Sequence, residues 1–187
     1  MNRRKKFFNF NNMETIEQTK KATIEDYQKL PEGARFELIE GHLVQEPSPE
    51  YGHQRLSMSL SSQMHQFVEK NNLGEILAAP IDVYLDEENA YQPDILFISK
   101  ENLSLIRRKG IYGAPDIIIE ILSPTNAYND FATKLHIYEK HGIKEYFIVD
   151  PNTKEVIAYS LVDKKFREEY REDGVITSKV LRYEFHF

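Results

Sequence analysis

Apolar residues recur along this chain with two periods, and the switches between them mark out its elements. Over residues 53–71 the positions Leu56, Leu60, Met64, Phe67 and Val68 follow helical spacing, which predicts an amphipathic helix. His53 extends that stripe at its start and reads as a core or capping histidine rather than a ligand. Short runs at 75–79, 81–85, 92–98, 117–121 and 145–150 predict strands. Upstream, Thr23-x-x-Asp26 opens a short helix that ends at Pro31-Glu32-Gly33. Residues 35–46 then predict a hairpin turning at Glu40-Gly41, where glycine permits the positive φ of a tight turn. Downstream, residues 155–161, 166–170 and 175–187 predict an antiparallel meander, with turns at Asp163-Lys164 and Asp173-Gly174. The order is helix, strands, strand, helix, strand: an α/β (α+β) core with a mixed sheet flanked by helices. Residues 1–20 read as a loose basic leader and 21–187 as a single domain without internal repeats.

Two polar residues break these patterns. The run 117–121 is isoleucine except for Glu120, which in a strand shares one face with Asp116, Ile118 and Leu122. A carboxylate there is costly unless a cation or donors compensate it. The next helix, opened by Ser123-Pro124-Thr125-Asn126 and closed before Gly142, carries Ala127, Phe131, Ile137 and Tyr138 on its apolar stripe. Lys134 falls in the middle of that stripe, with Asp130 and His141 on its margin. A core-facing ammonium needs a partner, and the preceding strand offers one.

Composition narrows the choices. The chain has 187 residues, 41% of them hydrophobic and 29% charged, as in ordinary globular proteins. With no cysteine, disulfides and thiolate metal sites are excluded, and a cytoplasmic location is expected. No apolar run approaches the roughly 18 residues needed to span a bilayer. A net charge of −6 argues against a broad nucleic-acid-coating surface, though not against a local cleft. The histidines show no zinc-hydrolase spacing, and no Walker, dinucleotide or nucleophile-elbow motif occurs. Arg107-Arg108-Lys109 reads as a solvated loop and as the best local phosphate contact.

The sharpest functional expectation is a divalent-metal site made by Asp94 and Glu120 with Lys134 beside it. Magnesium needs only one or two protein carboxylates and can acidify a water and neutralise phosphate charge. Glu37 is a further candidate ligand, direct or through water, although pattern alone makes the acids of the hairpin solvated. The competing reading is a structural Glu120–Lys134 ion pair in a non-catalytic binding module.

Phe36-Glu37-Leu38-Ile39-Glu40-Gly41, Gln92-Pro93-Asp94-Ile95, the run from Pro115 to Pro124, Lys134-x-x-x-Tyr138 and Tyr146-Phe147-Ile148-Val149-Asp150-Pro151 together resemble the Uma-two family, described as endonucleases. That family belongs to the PD-(D/E)XK superfamily, with the restriction-endonuclease-like fold. The resemblance covers about residues 21–187. Pro93-Asp94 resembles the superfamily's Pro-Asp and Glu120 its second acid. The motif's lysine, two positions beyond that acid, is replaced by Leu122, and Lys134 on the next helix matches instead. By the same analogy the backbone carbonyl of Ile121 is an expected metal ligand. The resemblance implies a homodimer that hydrolyses phosphodiester bonds of DNA with Mg2+, for which Mn2+ can substitute.

Overall fold

The structure, a computed structural model, describes residues 21–31, 33–123 and 129–187. The expected leader at residues 1–20 and the expected helix start at 124–126, with Ala127 of its stripe, lie outside the described residues. The side chain of Asp130 does too.

Helix α1 (Ile24–Tyr27) starts at a capping box formed by Thr23 and Asp26. Strands β1 (Phe36–Ile39) and β2 (His42–Gln45) form the expected hairpin, with Glu40 and Gly41 both at positive φ. Helix α2 (Tyr51–Asn71) follows, closed by Asn72 in the left-handed conformation. Next come β3 (Gly74–Ala78), β4 (Val83–Asp86), β5 (Asn89–Tyr91) and β6 (Ile95–Ser99). A 3-10 turn (Lys100–Leu105) leads to β7 (Ile106–Arg107) and β8 (Gly110–Tyr112). Strand β9 (Ile117–Ile121) precedes a π-helical segment (Asn129–Lys134) that runs into α3 (Leu135–His141). The chain continues with β10 (Glu145–Val149), β11 (Glu155–Val162), β12 (Lys165–Asp173), β13 (Val175–Ser178) and β14 (Tyr183–His186).

The strands form two six-stranded mixed sheets, ordered β2-β1-β5-β4-β8-β7 and β12-β11-β10-β9-β6-β3, and the separate pair β13-β14. In the second sheet β9 runs parallel to β10 and antiparallel to β6. Its two faces are distinct. Ile117, Ile119 and Ile121 pack with Leu56, Leu60, Met64 and Val68 of α2. Ile118 faces the other way, toward Tyr138 of α3 and toward Ile39, Val83 and Tyr91 of the first sheet. Strand β9 is therefore buried on both sides, which accounts for its near-continuous isoleucine.

Three sequence expectations are corrected. Residues 92–94 are not strand: β5 ends at Tyr91, and Gln92-Pro93-Asp94 links the two sheets, where Pro93 has no amide to give a ladder. The triplet read as a solvated loop is part of a hairpin of β7 and β8, with Arg107 in β7 and Arg108-Lys109 at the tip. Residues 175–187 leave the meander to form their own hairpin. Buried Glu145 explains that departure, because it accepts from Ser178 Oγ at 2.6 Å, Lys179 N at 2.6 Å and Val180 N at 3.2 Å.

That latch is testable. Glu145→Ala leaves a buried hydroxyl and two amides without their acceptor, and we expect a loss of about 2–3 kcal/mol in urea denaturation. Burial outweighs those donors and raises the Glu145 carboxyl above its ordinary 4.5. A folded value above the unfolded one means the native state holds the extra proton, so stability falls as pH climbs from 4.5 through the raised value. Glu145→Gln should remove that slope.

Candidate active site

Strand alternation aims Glu120 away from α2 and into the space between the two sheets, alongside Ile118. Its side chain is only 5% exposed. Lys134, the last residue of the π-helical segment, reaches it with Nζ at 3.1 Å from Glu120 Oε1. One α-helical turn on, Tyr138 donates its hydroxyl to the same oxygen at 2.8 Å. The lysine therefore has the partner expected from sequence.

It also has a second one. Lys134 Nζ lies 3.0 Å from Glu37 Oε2, and Glu37 Oε1 accepts from the Gln92 amide at 3.0 Å. Glu37 is 1% exposed, so the expectation of a solvated hairpin acid fails there. Alternation along β1 places Leu38 against Tyr27 and turns Glu37, with Ile39, toward the second sheet. The first sheet buries this carboxylate, and no short-range pattern encodes that packing. The Tyr91 ring closes the pocket, with its centroid 5.7 Å from Lys134 Nζ.

Phe131 leaves the predicted stripe and stands 37% exposed. The wider turn of the π-helical segment, i to i+5, rotates it off the line defined by Lys134, Ile137 and Tyr138.

Asp94 immediately precedes β6. Since Ile95 pairs with Ile119, the antiparallel register carried one step further sets Asp94 opposite Glu120. Asp94 Oδ2 accepts from the Ile121 amide at 2.7 Å and from His53 Nε2 at 3.1 Å. His53 is buried as expected, but its ring is spent on an acid and does not cap the helix. Burial works to lower the imidazole pKa; the hydrogen bond and charge of Asp94, helped by the Ile121 backbone, outweigh it and leave a net rise. For Tyr138, burial and then the Glu120 charge push the hydroxyl well up, so it stays a donor.

Glu37, His53, Asp94, Glu120, Ile121 and Lys134 all line one cleft of about 1160 Å³. Arg35, Arg108 and Lys109 line it too, placing part of the basic triplet on the wall above the acids. Arg107 points elsewhere, over the Tyr112 ring at 4.7 Å. Asp116, on the Glu120 face in sequence, sits at the far end of β9 and is used structurally, bonded to Ser99, Asn102 and Lys144.

Among the described residues, no three Asp, Glu, His or Cys side chains are grouped to hold a metal ion. The site offers two carboxylates, Asp94 and Glu120, with the Ile121 main chain between them. That all-oxygen set matches the modest demand of magnesium, which keeps several waters. It does not match zinc, which prefers nitrogen and sulfur donors.

Three comparisons bear on this arrangement. A family model described as "Uma2: Putative restriction endonuclease" matches residues 24–186. Among solved structures, the chain is similar to "a putative nuclease belonging to DUF820" from Anabaena variabilis, with a TM-score of 0.72 over 88% of this chain and 93% of that one. The two are 22% identical, so this likeness establishes the fold. No curated protein matches the chain. Among the described residues, no helix is long and apolar enough to cross a membrane.

Proposed function

We propose, from the premise that this chain belongs to the Uma2 family, that its cleft hydrolyses phosphodiester bonds of DNA with the help of a divalent cation. One observation carries the reading. Asp94 stands across the sheet from Glu120, Lys134 is bonded to Glu120, and all three line a cleft whose wall also bears Arg35, Arg108 and Lys109.

Asp94, Glu120 and the Ile121 carbonyl would hold Mg2+ or Mn2+. When bound, such an ion acidifies a water and neutralises charge on the phosphate. The chain supplies the rest. Lys134 brings an ammonium donor to the charge that builds up on the phosphate oxygens. Glu37 holds that ammonium from the opposite sheet, and Tyr138 fixes the Glu120 oxygen it shares with the lysine. Arg35, Arg108 and Lys109 position the flanking phosphates. Cutting both strands of a duplex in one binding event calls for two such clefts, and a homodimer is the simplest assembly that provides them.

A second reading, an inactive binding module, draws on a different observation: Lys134 is 4% exposed and already neutralised by two acids, as in a structural network. One assay separates the two. Purified protein incubated with supercoiled plasmid, single-stranded DNA and RNA, with Mg2+ or Mn2+, should cleave DNA only when the cation is present. Failure on every substrate with both cations would leave the second reading standing.

A further inference from the structure

Among the described residues, His53 is a buried ionisable side chain on the cleft wall that the proposed chemistry leaves unassigned. Its surroundings are specific. Nε2 lies 3.1 Å from Asp94 Oδ2, while Nδ1 is buried and, among the described residues, has no hydrogen-bond partner. An ionised carboxylate only accepts, so Nε2 is the donor whichever protonation state the ring takes. Together with the Ile121 amide at 2.7 Å, the ring gives Asp94 Oδ2 two donors. Among the described residues none bonds Asp94 Oδ1, and Asp94 lines the cleft.

Two donors on one oxygen fix both the rotation of the carboxylate and the oxygen it presents. The Ile121 amide is anchored in a sheet strand, and His53 comes from the first turn of α2 on the opposite side. The imidazole therefore ties the helix to the strand end at the carboxylate that faces Glu120. We infer that His53 is a positioning residue: it clamps Asp94 Oδ2 so that Oδ1 is presented to a divalent cation shared with Glu120. The inference rests on the cation site proposed above. Outer partners that orient a ligating carboxylate typically account for 10–100-fold in metal affinity.

The test reads metal binding without turnover. Mn2+ affinity is measured by the electron paramagnetic resonance of free Mn2+, on the full chain and three variants, with circular dichroism as the check on folding. His53→Met fills the site but has no N–H, and should weaken Mn2+ binding about 10–100-fold. His53→Gln can extend an amide N–H to Asp94 Oδ2 and should bind within about threefold of wild type, since the donor is kept. Asp94→Asn should bind weakest. If wild type binds Mn2+ and folded His53→Met binds equally well, the clamp is refuted while the cation site stands. If His53→Met does not fold, the Gln variant decides: a folded His53→Gln as weak as Asp94→Asn refutes the clamp, and near-wild-type binding supports it. If wild type itself binds no Mn2+, the cation site and the clamp fall together.

Discussion

Lys134→Met is expected to abolish cleavage and to lower the unfolding free energy by about 3–5 kcal/mol. Had the lysine faced a single acid, as the sequence suggests, its removal would already leave one buried carboxylate uncompensated. The structure adds a second acid. Two carboxylates, 1% and 4% exposed, converge on one ammonium, so its removal leaves two buried acids facing each other. Tyr138 and the Gln92 amide still bond one oxygen of each, but neither brings a positive charge. Urea denaturation measures the loss. The combined variant Lys134→Met, Glu37→Gln, Glu120→Gln should recover most of the stability and none of the activity. If Lys134→Met alone is as stable as wild type, the two acids are not compensated in the way the geometry requires.

Glu120→Gln should lower the cleavage rate at least about a thousandfold, equivalent to about 4 kcal/mol of barrier. The amide oxygen can still accept from Tyr138, so the fold survives while the charge that would grip the cation is gone. Thermal melts give a second readout free of turnover. At a Mg2+ concentration about 100 times its Kd, wild type should gain about 2.7 kcal/mol, and Glu120→Gln should gain almost nothing. Equal Mg2+ shifts in the two proteins would remove Glu120 from the metal site.

The legible parts of this site were those where a charge interrupts an apolar period. Glu120 among isoleucines and Lys134 on a helical stripe stand out because burying either alone is costly, so each implies the other. Glu37 carried no such mark. An acid on a two-stranded hairpin looks the same whether water or a second sheet covers it, and the packing of one sheet on the other decides. His53 was legible as buried, but a single histidine on a stripe does not say what its ring will meet across the fold. Tyr138 did leave a signal: it follows Lys134 by four residues, the spacing that places both heads on one face. The wider helical turn before Lys134 is invisible to a fixed 100° periodicity, which is why that periodicity puts Phe131 on the core stripe. Register is set by the assembled sheet and by no short pattern: the pairing of Ile95 with Ile119 turns two distant acids into neighbours.

The most direct measurement is anomalous diffraction from crystals soaked in Mn2+. A single strong peak in contact with Asp94 and Glu120, beside the Ile121 carbonyl, is the predicted result. A cleft without any peak, in crystals whose other sites take up manganese, would contradict the account and leave the lysine and its two acids as a structural knot.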